Sequence, residues 1–369
     1  MNLSYWEIKS WFTNVDFTIV GSGIVGLSTA LFLNEKYPKA TILILERGML
    51  PHGASTKNAG FACFGSLSEI IDDLKSHSEQ EVYDLVQKRW DGLLLLRKIV
   101  GDKFIDYQQL GGYELFNDAT VFNECYDKKE AVNKLLHGVF KKEVFSFDDD
   151  AFHFLKVNKK LAFNPFEGQI DTGKMMSELL RKVQMKGVKI LNSCSVINYT
   201  EQLNGVTVKT SIGEFSTKKL LIATNGFAKQ LLKIEVEPAR AQVLITKPIK
   251  DLSIRGTFHL DKGYFYFRNI NNRVLLGGGR NLDFKTEETT TFGQTELIQN
   301  KLEEILSTII LPNKKFEIDF RWSGVMGVGN QKKAIVKPIS NHVTCGVRLG
   351  GMGIAIGFLV GKELASLME

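Results

Sequence analysis

No stretch of this chain is both apolar and unbroken over the length a bilayer requires; the segments at 19–33 and 349–361 are short and interrupted by glycine. The opening MNLSYWEIKSWF carries Glu7 and Lys9 and lacks the continuous apolar core of a secretory leader. A cytoplasmic protein is therefore expected. Cysteine is sparse: Cys63, Cys125, Cys194 and Cys345 stand far apart, with no CxxC pair and no histidine at zinc spacing. That pattern predicts isolated thiols in a reducing compartment and no metal centre. A long basic block is missing too. The 47 Lys and Arg exceed the 41 Asp and Glu by only 6, spread along the chain, which argues against a nucleic-acid partner. His77 and His137 lie among polar residues without partners at metal or triad spacing and read as surface histidines.

What is present is a globular composition, 44% apolar and 24% charged over 369 residues, enough for a substantial core and two or three domains. The most informative stretch is FTIVGSGIVGLSTALFLNEKYPKATILILE at 17–46. An apolar run leads into Gly21, Ser22 and Gly23, then Ile24, Val25 and Gly26 open a helix-period segment, and a second apolar run closes on Glu46. This is the pattern of a βαβ dinucleotide-binding unit. Gly21 permits the tight turn, Gly23 lets backbone approach a pyrophosphate, and Gly26 brings helix close to strand. The helix N-terminus offers free N–H groups and a positive dipole end to phosphate. Glu46 is placed to accept from ribose hydroxyls, and a carboxylate there disfavours a 2′-phosphate.

After Arg47 comes a second small-residue loop, GASTKNAGFACFGS at 53–66, rich in hydroxyl and amide groups and charged only at Lys57. Such a loop can follow an extended ligand closely or be an ordinary surface loop; its place directly after the ribose acid favours ligand contact by Ala54, Ser55, Thr56, Lys57, Asn58, Ala59 and Gly60. Taken together, GSGIVG, Glu46 with Arg47, and GASTKNAG resemble the D-amino-acid oxidase (DAO) family of FAD-dependent oxidoreductases, which includes glycine oxidase, sarcosine oxidase and γ-glutamylputrescine oxidase.

Later segments extend the resemblance. Residues 67–100 have helical spacing with a core patch at Leu93–Leu96, residues 104–116 read as strand broken by Gly111 and Gly112, and a helix is expected at about 118–137, stopping near Gly138. DTGKMMSELLRKVQMKG is an amphipathic helix capped by Asp171 or Thr172 and stopped by Gly187. Strands are expected at about 188–191, 195–200, 206–210 and 213–216. The position of Val196 resembles one whose backbone meets adenine in the family, and Ala223, Thr224 and Gly226 in KKLLIATNGFA resemble its ATG-type turn beside the dinucleotide. In DKGYFYFRNINNRVLLGGGR, period-2 alternation places Tyr264, Tyr266 and Arg268 on one sheet face. That face could line a substrate pocket or be solvated; the family's substrate sheet, which covers the flavin here, favours the pocket. Finally Gly350, Gly351, Met352, Gly353 and Ile354 bare N–H groups at the start of an apolar C-terminal helix, suited to negative charge on a reduced flavin.

The resemblance implies an α/β (α+β) fold: a discontinuous Rossmann-like FAD-binding domain (1–85, 160–235, 318–369) with an inserted antiparallel-sheet substrate domain (86–159, 236–317). It implies non-covalent FAD, since residues 321–330 hold no cysteine for attachment. It also implies hydride transfer from an amine or amino-acid carbon to the flavin, with molecular oxygen or another acceptor reoxidising it. Two departures narrow this. Met326 stands where glycine oxidase-like members carry a carboxylate-binding arginine, and Leu275 stands where sarcosine oxidase-like members carry an oxygen-activating lysine. The alternative function is a non-catalytic flavoprotein acting in assembly or as a binding partner.

Overall fold

The computed structural model describes residues 3–368. The run 17–46 forms the strand Val15–Val20, the helix Ile24–Lys36 and the strand Ile42–Leu45. All four residues of Ile42–Leu45 and all but Asp16 of Val15–Val20 are buried, which is why both read as continuous apolar runs rather than as alternation. They pair in parallel with each other. Val15–Val20 continues in parallel to Gly213–Ile222, and Ile42–Leu45 to Lys189–Leu191. Val343–Val347 adds to the far side of Gly213–Ile222, again in parallel, and carries an antiparallel edge strand, Ile335–Pro338. A meander of Val196–Gln202, Gly205–Thr210 and the long Gly213–Ile222 completes this eight-stranded sheet. What reads as two short strands around 213–222 is one, because its first half pairs in the meander and its second half in the parallel core.

The second sheet also has eight strands, in the order Ile318–Val328, Glu237–Thr246, Arg273–Gly278, Phe265–Ile270, Thr257–Leu260, Gly112–Leu115, Lys160–Asn164, Ser146–Asp149. It is antiparallel except where Thr257–Leu260 runs parallel to Gly112–Leu115. One face packs on the helix Glu296–Ile305 and the turn that follows it, burying Leu244, Phe258, Phe267, Leu276 and Leu302. The other face carries Val243, Leu275 and Tyr266 against Ala59 and Phe61 of the 53–66 loop. Its second-sheet strands therefore lie over the glycine loops of the first.

Several details differ from the sequence reading. Ile318–Val328 and Lys160–Asn164 pair in the second sheet, so boundaries at 318 and 160 cut through it, and a boundary at 85 falls inside the helix Glu79–Val100. Residues 67–100 form two helices, Leu67–Asp73 and Glu79–Val100, because Ser78 and Glu81 make a capping box that restarts the chain. Residues 102–105 are a helical turn, and the expected strand begins only at Gly112. The helix Ala119–Phe140 runs through Gly138, where the absent Cβ would lie 2.6 Å from the Tyr83 hydroxyl; the stop is left-handed Lys141. At the N-terminus Trp11 and Phe12 pack on the body, whereas Tyr5, Trp6 and Ile8 are exposed. Among the described residues no helix is long and apolar enough to cross a membrane.

Candidate functional site

A cavity of about 620 Å³ lies between the two sheets. Its floor begins at the first βα turn. Gly21 has φ +103°, a conformation that favours glycine, and a Cβ there would lie 2.9 Å from the Ala223 carbonyl oxygen. A Cβ on Gly26 would lie 1.9 Å from the Gly21 carbonyl, so Gly26 sets the approach of helix to turn and does not itself line the cavity. The helix Ile24–Lys36 has no side-chain cap; instead Ile24 N donates to Ser55 Oγ at 2.9 Å, tying the second loop to the first. Glu46, buried at the end of its strand, accepts from Ser22 Oγ at 2.7 Å, Ser22 N at 3.1 Å and Gly48 N at 3.0 Å. Beside it burial lowers the pKa of Arg47, whose guanidinium stacks 3.7 Å over the Phe227 ring.

Of the predicted positions, Gly21, Gly23, Ile24, Val25, Glu46, Arg47, Ala54, Ser55, Lys57 to Gly60, Val196, Ala223, Thr224, Tyr264, Tyr266 and Gly350 to Ile354 border this one cavity. Gly26, Thr56, Gly226 and Arg268 do not. The Thr56 hydroxyl is turned inward to the Pro51 and Gly53 carbonyls. Gly226 is packed against the Met326 carbonyl, only 2.4 Å from where its Cβ would be. Arg268 corrects the pocket assignment: it shares the strand face of Tyr266 but is sunk beneath the small-residue loop, donating to the Gly60 carbonyl at 3.2 Å and the Ile170 carbonyl at 2.9 Å. Burial pulls its pKa down to about 10. A guanidinium at that place braces the loop from below.

Arg280, which follows the Gly278–Gly279 bend and stacks 4.7 Å over the Phe284 ring, borders the cavity alongside Arg47, Lys57, Lys262 and Lys332. His259 was not foreseen either. Cross-strand register places it opposite Tyr266, which in turn faces Gly277, so that Val243, Gly277, Tyr266 and His259 form one transverse row over the cavity. Nothing in TFHL announces this; only the register of four strands does. Behind His259, Glu167 accepts from its Nε2 at 3.0 Å and from Thr257 Oγ1 at 3.0 Å. Cys63 joins them: its sulfur, a Glu167 oxygen and a His259 nitrogen all lie within 4.8 Å of one another. Residues 63, 167 and 259 are too distant in sequence for any spacing rule. Burial drives the Cys63 thiol well up, away from thiolate.

The cavity suits a dinucleotide on its own geometry. Thr224 Oγ1 is buried at its wall without a partner among the described residues. Two helix N-termini, Ile24–Lys36 and Gly353–Ser366, reach it without side-chain caps, the second after left-handed Gly350 and Gly351. Uncapped N–H groups and an orphan hydroxyl are the donors a pyrophosphate and a flavin edge need.

Comparison with known proteins gives the same direction. The family model for DAO, described as FAD dependent oxidoreductase, matches residues 16–367. A probable oxidoreductase, OrdL, of Haemophilus influenzae is 22% identical, covering 95% of this chain and 82% of its own length. Glycine oxidase from Geobacillus kaustophilus superposes with a TM-score of 0.79 at 18% identity, covering 95% of this chain and 94% of that one. L-proline dehydrogenase from P. horikoshii superposes with a TM-score of 0.76 at 19% identity, covering 96% and 93%.

Proposed function

Because the chain belongs to the DAO family of FAD-dependent oxidoreductases, we propose that it oxidises the C–N bond of an amine or amino acid to an imine, which water then hydrolyses. The observation that carries this reading is the single cavity, running from the Gly21–Gly23 turn to the Tyr264, Tyr266 and Arg280 side chains under the second sheet. FAD, the non-covalent cofactor, supplies the acceptor for the hydrogen and electron pair that leave the amine-bearing carbon.

The chain's own residues hold and orient. Gly21, Gly23 and the start of the helix Ile24–Lys36 would hold the pyrophosphate, Glu46 the ribose, and the backbone at Val196 the adenine. The loop Lys57–Gly60 and the N-terminus Gly353–Ala355 would flank the flavin ring, the latter favouring negative charge on it. Tyr264, Tyr266, Val243 and Met326 would enclose the reacting carbon and exclude water, while Arg280 offers a guanidinium to a carboxylate. Carbon loses its hydrogen with the bonding pair, and nitrogen, bound as the free amine, loses a proton to solvent. No strong side-chain base is then required. Molecular oxygen or another acceptor takes the electrons afterwards.

Anaerobic mixing of the yellow protein with secondary amines, amino acids and glutamylated amines should bleach the flavin band with at least one member. A panel without any bleaching, together with stable co-purification of another protein, would instead mark a non-catalytic flavoprotein serving as an assembly or binding factor.

A further inference from the structure

Three buried side chains have no part in the proposed oxidation. Cys63, Glu167 and His259 come from distant segments, yet a sulfur, a carboxylate oxygen and a ring nitrogen of theirs all lie within 4.8 Å of one another. Strand pairing brings each of them there. The short ladder that sets Phe61 opposite Gln169 and Ala62 opposite Gly168 leads, one step further, to Cys63 beside Glu167. His259 arrives from the second sheet, on the strand between Gly112–Leu115 and Phe265–Ile270. Neighbouring groups then hold the three in position. Glu167 Oε2 accepts from His259 Nε2 and from Thr257 Oγ1, each at 3.0 Å. Gly112 makes room for that carboxylate, since a Cβ there would lie 2.2 Å from Oε2. The His259 ring is fixed by an edge contact with Phe61, centroids 5.4 Å apart, and the Gly65 N–H donates to the Cys63 sulfur.

We propose that Cys63, Glu167 and His259 bind a divalent cation of the zinc class. One sulfur, one imidazole nitrogen and one carboxylate oxygen are donors such an ion takes, and the sulfur selects against magnesium and calcium. Tetrahedral zinc sets its ligand atoms roughly 3.3–3.7 Å apart. The His259–Glu167 pair stands at 3.0 Å and the sulfur within 4.8 Å, so movements of about 1 Å complete the site. Binding exchanges two protons for one ion: one leaves the Cys63 sulfur, the other leaves the space between Nε2 and Oε2, where the cation takes its place. A coordinated thiol gives up its proton even where burial alone would keep it. The net charge of the cluster is the same before and after, so no unpaired charge is buried. Thr257 on Glu167 and Gly65 on the sulfur remain as partners that orient the ligands. Nearby Glu69 and Glu114 add negative potential without competing as ligands, because Glu69 accepts from Ser66 N and Glu114 from Ser68 N and Ser66 Oγ. Arg89 opposes them but is turned to the Phe64 carbonyl at 2.8 Å. Cys63 and His259 border the cavity and Glu167 lies behind them. The ion therefore enters from the cavity and keeps its fourth position open towards it, while joining the loop 53–66 to the second sheet. None of this depends on the proposed oxidation.

The test uses the FAD-loaded protein, stripped with a chelator and titrated with zinc against a chromogenic zinc indicator. One equivalent should bind, and zinc K-edge absorption should show a single sulfur neighbour at about 2.3 Å beside nitrogen and oxygen at about 2.0–2.2 Å. Cys63→Ser should remove the sulfur neighbour, and Cys63→Ser, His259→Asn and Glu167→Gln should each weaken zinc about tenfold or more. Zinc should raise the melting temperature of the wild type and not that of Cys63→Ser. Should His259→Asn or Glu167→Gln fold poorly and lose FAD, the near-isosteric Cys63→Ser carries the comparison. A wild type that takes up no zinc overturns the site. So does zinc without a sulfur neighbour, or equal affinity in the wild type and the folded variants, since either puts the ion elsewhere. A flavin bleached by amines in a chain that takes up no zinc removes the metal site and leaves the oxidation standing; zinc bound through Cys63 in a chain that no amine bleaches does the reverse.

Discussion

Glu46 shows how much one side chain can hold. The sequence predicts that it holds a ribose; the structure adds that its carboxylate accepts from Ser22 Oγ, Ser22 N and Gly48 N. Replacing it by alanine removes charged hydrogen bonds worth about 1.5–3 kcal/mol and strands the buried Ser22 hydroxyl. Glu46→Ala should therefore release FAD on dilution and also lower the melting temperature of the apoprotein; unchanged retention of FAD would remove Glu46 from the nucleotide site. His259 makes a prediction of opposite sign to that of an ordinary carboxylate. Its pKa in the fold, about 9, lies above the ordinary histidine value of about 6.5. The stabilisation it gives is complete below about 6.5 and disappears as pH rises through about 9. Denaturant midpoints of the apoprotein should fall across that window, and Glu167→Gln should flatten the fall. A wild-type midpoint constant from pH 6.5 to 9.5 would show that the pair is not ionised.

At the scale of elements, the C-terminal helix Gly353–Ser366 is the piece whose placement matters most, since its first residues border the cavity. It is set by close approach on two sides. A Cβ on Gly361 would lie 2.0 Å from Ser28 Oγ of the helix Ile24–Lys36, and one on Gly92 of the helix Glu79–Val100 would lie 2.2 Å from the Ala355 carbonyl. The small residues let three helices stack at backbone distance, and contact there fixes where the N–H groups of Gly353 to Ala355 stand relative to the loop 53–66. Gly361→Ala should destabilise by about 1–3 kcal/mol through overpacking and shift the flavin's absorption band. Thermal unfolding followed by both near-ultraviolet dichroism and flavin colour would separate the two effects. The helices themselves were legible from their apolar periodicity and from Asp171 and Gly187 at the ends of one of them, as was the βαβ unit from its glycines. Less legible were the break at Ser78 and the continuation through Gly138, because a capping box inside a helical period and a glycine chosen for Tyr83 both look like their opposites in one dimension.

For the whole molecule, the same division decides what the sequence could say about the site. Contacts made by one segment, such as Gly21 with Gly26 or Ser55 beside Lys57, are local and leave a motif. Contacts made by register across the second sheet leave none: Arg268 lies on the predicted face yet braces a loop, while His259, three strands' pairing away from any motif, reaches the cavity. That cavity is bordered by residues from Val20 to Ala355, contributed by both sheets. A ligand filling it touches the first βα turn, the loop 53–66, the Ala223–Thr224 turn, the second sheet and the C-terminal helix together, so its binding energy is shared by elements with little else in common. FAD that binds only the folded chain must then stabilise the whole by mass action, about 2.7 kcal/mol at a hundredfold excess over Kd. Deflavinated protein should melt earlier, with added FAD restoring the midpoint in a concentration-dependent way, and both sheets should unfold in one transition when FAD is bound. Limited proteolysis of the apoprotein should open the 53–57 end of the loop first, since Ser55 and Lys57 tie that end to Ile24 and Trp322 by one hydrogen bond each, whereas residues 58–64 are held by Thr172, Arg268, Ile170, Arg89 and the strand pairing with Gly168–Gln169. Cleavage elsewhere first, or a midpoint indifferent to FAD, would mean that the two sheets are joined by their own packing and that the cofactor is a guest rather than a fastener.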